Sequence, residues 1–197
     1  MSWTIAHSAE RQLQLSHAKT AFTLTLSSQQ PIAIAENAQH IVAVIGRVRP
    51  YDEDYLSQDN ALWLLTQPLN ETTTLTNALA GFFLLLLVNK HSGQISIIND
   101  HVGSIPCYID QRDNSSLCIS DNLPALHGAQ SGASLAPQAL FNYLFFHCIP
   151  SPLSIYQGIT KLAPGVIVTV NTNLVLRQTN YYQPVFKPSN DSAEALM

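Results

Sequence analysis

Residues 99–109 read NDHVGSIPCYI, and the course of the chain is decided by how this stretch is taken. Asp100, His101 and Cys107 are residue types of a catalytic site, whereas Gly103 and Pro106 are residue types of a turn. The flanks favour the turn. Residues 82–98 give an apolar run FFLLLLV, a polar NKHSGQ and a second apolar run ISII, the pattern of a β-hairpin. Residues 105–120 repeat it as IPCYI, DQRDNSS and LCIS. A symmetric turn in that second hairpin sets Cys107 opposite Cys118 on paired strands, which accounts for both cysteines without chemistry.

Working outward, AFTLTLSS (21–28) alternates apolar and polar residues at period two, and IVAVIG (41–46) is a compact apolar run ending in glycine. Asp59 is placed to cap a short helix through ALWLLTQ that Pro68 halts. A second short helix is expected over residues 75–80, with Thr72 to Thr74 as caps and Gly81 as its stop. Downstream, Pro137 opens a helix in which Leu140, Phe141, Leu144 and Phe145 recur at helical spacing, so one face of it is expected to be buried. VIVTV, the turn Asn171-Thr172-Asn173 and LVLRQTNYY form a last hairpin. Many strands, few short helices and no βαβ rhythm define an α+β class with mainly antiparallel sheets.

The chain has 197 residues, enough for one domain. Residues 1–185 are read as that domain, and 186–197 as a polar tail or the start of a linker. Hydrophobic residues make up 46% and charged ones 11%, against about 25% charged in an average soluble domain. A surface so poor in charge fits a domain covered by a partner. The net charge of −4 and the lack of basic runs exclude nucleic acid as a partner. FFLLLLV is far shorter than the roughly 20 residues that cross a bilayer, so no membrane partner is expected. The start MSWTIAHSAE has neither the basic nor the apolar region of a secretory signal, and three cysteines show no CxxC spacing. Both point to a reduced, cytoplasmic setting. Seven histidines show no HxH or HExxH spacing, so no metal is expected, and no phosphate-binding glycine loop or other cofactor motif is present.

Three segments in order resemble the N-terminal glutamine amidotransferase domain of asparagine synthetases. NDHVGSIPCYI is similar to the family's R-D-x-x-G-x-x-P-L-Y-Y, with Asp100, Gly103, Pro106 and Tyr108 in place. FFHCIPSPLSIYQGITKLAPGV is similar to Y-x-P-x-P-x-T-I-F-x-G-I-x-K-L-P-P-G-H, keeping Pro150, Pro152, Ile155, Gly158, Ile159, Lys161, Leu162, Pro164 and Gly165. RQTNYYQP resembles the closing R-x-Y-W-x-P, and LTNALAGFFLLLLVN the upstream L-x-G-x-F-A-F-A-L-x-D. The resemblance covers residues 75–185. It implies the four-layer αββα sandwich of N-terminal nucleophile hydrolases, with two stacked antiparallel sheets. It also implies that Asp100 and His101 are turn and interface residues, with the ammonia-releasing chemistry elsewhere.

That chemistry uses an N-terminal cysteine whose own α-amino group moves the proton. This chain begins Met1-Ser2-Trp3, so removal of Met1 exposes Ser2 in place of cysteine. The family's Arg-Gly-Pro-Asp stretch, which clamps the glutamine carboxylate, has no counterpart in ERQLQLSHAKT. Its Asn-Gly-Glu stretch, source of oxyanion donors, aligns with Ile45-Gly46-Arg47, where only Gly46 survives. Asp59, in SQDNAL, matches the acid that grips the substrate's amino group and is equally an ordinary helix cap. Ser2 is therefore the candidate nucleophile, and Gly46 and Asp59 are vestiges of the substrate site. The resemblance implies a degenerate domain serving an ATP-dependent, asparagine-synthetase-like synthetase on the same or another chain. A homodimer is a further partner. The alternatives are an amide hydrolase using Ser2, and a small-molecule binding module that reuses the old pocket.

Overall fold

The computed structural model describes residues 3–7, 10–17, 20–51, 60–113, 116–128 and 134–185. In chain order the strands are β1 Trp3–His7, β2 Glu10–His17, β3 Thr20–Ser27, β4 Ile32–Glu36 and β5 His40–Pro50, followed by helices α1 Asn60–Leu64 and α2 Thr72–Asn77. Then come β6 Leu79–Asn89, β7 Ile95–Asn99, β8 Tyr108–Asp113, β9 Ser116–Ser120, α3 Leu123–Gly128 and α4 Pro137–Phe146. Strands β10 Ile159–Lys161, β11 Val166–Val170 and β12 Leu176–Asn180 close the chain. They form two six-stranded sheets, ordered β1-β2-β3-β9-β8-β10 and β12-β11-β7-β6-β5-β4. Pairing is antiparallel except between β3 and β9, which run parallel in the middle of the first sheet.

The central strands of the second sheet are buried on both faces, and β6 shows why FFLLLLV carries no polar residue. Leu84, Leu86 and Val88 face the first sheet, packing with Leu24, Leu26, Ile109 and Ile119. Phe83, Leu85 and Leu87 face the other way, against Ala61 and Leu64 of α1 and Leu75 of α2. A strand alternates its side chains between faces, so only a continuous apolar run can serve a sheet covered twice. On the outer side of the first sheet α3 packs on β9. The layers are thus those of an α+β sandwich with two stacked sheets.

Asp100 ties the hairpin β6–β7 to the next one. Its side chain is fully buried and accepts hydrogen bonds from the backbone N–H of Val102 (2.9 Å), Gly103 (2.7 Å) and Ser104 (3.1 Å), and from Phe83 of β6 at 3.1 Å. The Asp100 carbonyl accepts from Gly165 N at 2.8 Å, and the Gly165 carbonyl in turn accepts from the Tyr181 and Tyr182 N–H groups. Tyr181 closes the loop by donating its hydroxyl to the Asn99 carbonyl at 2.7 Å. Burial, and then the charge of Asp100, pushes the Tyr181 phenol above its ordinary range, so it stays a donor. His101 meets the Tyr181 and Tyr182 rings edge-on, at centroid distances of 5.4 and 4.5 Å. NDHVGSIPCYI is a turn.

Three sequence expectations are corrected. Cys107 and Cys118 do not oppose one another: Cys118 pairs with Asp110, and Cys107 precedes β8 with its thiol in the inter-sheet core. Leu117 and Ile119 share that core, so alternation puts Cys118 on the other face. The second short helix spans Thr72–Asn77 rather than 75–80, with Glu71 at its cap position and no side-chain cap bond, because β6 already begins at Leu79. Helix α4 buries only Ala139; Leu140, Phe141, Leu144 and Phe145 are 40–69% exposed. Periodicity identified an apolar face, but among the described residues nothing covers it.

Two predictions follow from these contacts. Asp100→Ala leaves buried N–H groups unpaired and lowers unfolding stability by about 3–5 kcal/mol, and Asp100→Asn by about 1–3 kcal/mol, in urea titrations. Burial, with the charge of Asp121 second, pushes the Cys107 thiol far up, whereas Cys148 is exposed. Brief alkylation of the native protein at pH 8, mapped by mass spectrometry, is expected to label Cys148 and spare Cys107 until the chain is unfolded.

Candidate functional site

The segment Ile45-Gly46-Arg47 lies in β5 beside β6, in the register Ile45↔Leu84, Gly46↔Phe83, Arg47↔Phe82 and Val48↔Gly81. Gly46 has φ +89° and Gly81 φ +121°. A Cβ on Gly46 would run into the Phe82 carbonyl oxygen and come 2.6 Å from Ile105 Cδ1; one on Gly81 would strike the Arg47 carbonyl oxygen. The two glycines therefore let β5 and β6 bend together where they leave the core, at a backbone geometry other residues rarely take.

Beyond the bend the surface opens. By strand register, Arg47 and Phe82 share the face of Ile45 and Leu84, the face turned towards the first sheet. Yet Arg47 is exposed and Phe82 is 49% exposed, while Ile45 is 1% and Leu84 2% exposed. Both side chains therefore reach solvent at the Gly46 bend, where their neighbours Ile45 and Leu84 are still in the core. The Ile45 side chain is committed to the inter-sheet core. Ser2 and Asp59 lie outside the described residues, so Gly46 is the one predicted site residue that the structure positions.

A concavity among the described residues lies elsewhere. A cavity of about 100 Å³, lined by His40, Asn70, Asn89 and Ser96, opens at the other end of the second sheet. It lies six residues back along β5 from Gly46, roughly 20 Å at the rise of a strand. His40 Nε2 is 3.1 Å from Asn70 Oδ1, which also accepts from Asn89 Nδ2 at 3.3 Å. These bonds knit two turns to the loop between α1 and α2, so its polar groups are largely used by the fold. It is separate from the Gly46 bend. No group of three or more His, Cys, Asp or Glu side chains among the described residues could hold a metal ion, and no described helix is long and apolar enough to cross a membrane.

Two stacked, mainly antiparallel sheets with few helices make an α+β sandwich. The glutamine amidotransferase domain family matches residues 4–182, and the chain belongs to that family. It is 24% identical over 119 residues to asparagine synthetase [glutamine-hydrolyzing] 1 of Bacillus subtilis (strain 168), a match covering 60% of this chain. The same match spans 19% of the synthetase, about a fifth of its length. Among solved structures, a glutamine phosphoribosylpyrophosphate (PRPP) amidotransferase from B. subtilis, complexed with ADP and GMP, aligns at TM-score 0.42 and 11% identity. That alignment covers 80% of this chain and 32% of the other.

The paired glycines give a direct test of the bend. Gly46→Ala is expected to lose about 2–4 kcal/mol, from the positive φ and the collision with β6 together. Gly158 has φ +81° but open space around it, so Gly158→Ala is expected to lose only about 1–2 kcal/mol, the backbone part alone. Urea midpoints of the two variants measure the difference.

Proposed function

We propose that this glutamine amidotransferase-type domain does not hydrolyse glutamine, and serves as a scaffold or partner for an ATP-dependent, amide-forming synthetase. The segment Ile45-Gly46-Arg47 carries the reading. The bent glycine backbone is kept, but the side chain before it is an alkyl group packed in the core and the one after it is an exposed cation. An oxyanion requires a donor at the first position, and removing one such donor costs about 2.7–4 kcal/mol of transition-state stabilisation. An arginine where the resemblance implies a glutamate reverses the charge offered to the substrate. The likeness to asparagine synthetase supports a synthetase as the partner.

Ammonia and glutamate release from glutamine tests the reading, on protein whose mass shows Met1 removed, with Ser2→Ala beside it. The expected result is no release above the Ser2→Ala background. Turnover that disappears in Ser2→Ala overturns the reading and makes Ser2 a working N-terminal nucleophile.

A further inference from the structure

Ser96 is a hydroxyl placed among alkyl groups. It sits in β7 opposite Leu87 of β6, on the face where Leu87 and Ile98 pack in the core, and it is 4% exposed. A hydroxyl in such a place costs stability unless it is paired. Among the described residues the Ser96 hydroxyl has no hydrogen-bond partner; it lines the cavity of about 100 Å³ that opens beside His40.

The bonds that knit this cavity into the fold use up acceptors and leave donors over. Asn70 Oδ1 accepts from His40 Nε2 at 3.1 Å and from Asn89 Nδ2 at 3.3 Å. Asn89 Oδ1 accepts from the His91 and Ser92 N–H groups, both at 2.9 Å. An amide whose oxygen is held presents its nitrogen elsewhere, and Asn70 Nδ2 has no partner among the described residues. The Thr72 hydroxyl, also on the wall, has none there either. No Asp or Glu lines the cavity or the wider cleft outside it, where Lys90 stands at the rim. Lys90 Nζ donates to Glu36 and to the Asn37 carbonyl, which leaves one further N–H. Donors without a facing acceptor suit a ligand that supplies acceptor oxygens. One water needs about 10–15 Å³ of cavity, so the space admits a group with a few oxygens.

We propose that this cavity binds a small oxyanion, a carboxylate or a phosphate group, on Asn70 Nδ2 and the Ser96 and Thr72 hydroxyls, with Lys90 at the entrance. The site stands apart from the glutaminase reading and does not depend on it. Amide NMR titration of the full chain with sodium acetate and with sodium phosphate, each against sodium chloride at equal ionic strength, tests it. The expected result is saturable shifts at the His40, Asn70 and Ser96 amides below about 50 mM of one anion or both. The tighter of the two assigns the source, carboxylate or phosphoryl. Asn70→Asp keeps an acceptor oxygen for His40 and Asn89 but puts a second carboxylate oxygen where the free donor was. It is expected to weaken binding at least about tenfold. Gln178→Glu, on the exposed strand β12, adds the same charge away from the cavity and is expected to bind as wild type does. Shifts that chloride reproduces, or no saturation with either anion, overturn the proposal. Wild-type affinity in Asn70→Asp overturns it by placing the anion elsewhere. Glycerol that shifts the same amides with equal affinity overturns it in favour of a neutral polyol.

Discussion

The Asp100 carboxylate is the point on which this fold depends. It is fully buried, and in place of a basic side chain it has backbone N–H groups: three from its own turn and one from Phe83, seventeen residues upstream. Hydrogen bonds to a charged acceptor are each worth more than neutral ones, and a buried carboxylate without them would be prohibitive. The geometry therefore has a single good solution. The turn must curl around the side chain while β6 runs close enough to donate. That fixes the end of β7 against the middle of the sheet and sets where residues 105–107 enter the first sheet. The Asp100 carbonyl extends the constraint through Gly165 to Tyr181, so four stretches of chain distant in sequence share one junction.

Around that junction the sandwich follows from the number of faces each strand must bury. Strands β5 and β6 are covered on both sides, by the first sheet and by α1 and α2, and both are apolar at consecutive positions until the glycines. Gly46 and Gly81 mark where double coverage ends. Between them Arg47 and Phe82, a pair in the ladder, reach solvent. A bend produced by two nearby glycines exposes these side chains without breaking the ladder, since the register runs unbroken from His40 to Pro50.

Much of this was legible in the sequence, for physical reasons that also set the limit. The hairpin at residues 82–98 could be read because a doubly buried strand needs an uninterrupted apolar run and its turn needs polar residues. Asp100 could be read as a turn residue because aspartate followed by glycine three positions on offers an acceptor and a flexible backbone. That its carboxylate also holds Phe83 could not be read, since a backbone N–H leaves no mark in sequence. The cysteine pairing fails by register: opposing Cys107 to Cys118 needs a turn centred between residues 112 and 113, whereas the strands stay paired as far as Asp113 and Ser116 and Cys118 falls opposite Asp110. Gly46 is mute on its own, and its importance came only from resemblance. The spacing of Leu140, Phe141, Leu144 and Phe145 correctly identifies an apolar helix face, but periodicity carries no information about what lies against it.

The groups that make the fold and the groups that glutamine chemistry requires are different sets. Asp100, Phe83, Gly81 and Gly46 act through backbone geometry and buried hydrogen bonds, and none needs a substrate to justify it. In the proposed reading, the chemistry would call for a nucleophile at the N-terminus, an oxyanion donor before Gly46 and an acid after it, where this chain has Ile45 and Arg47. Ile45 serves the core better than a polar residue would, because at 1% exposure an amide side chain there would need partners among alkyl groups. In the proposed reading, an isoleucine at that position would exchange a functional group for packing, and stability would not oppose it. A fold with its structural constraint at Asp100 and its chemical one beside Gly46 can retain the first independently of the second.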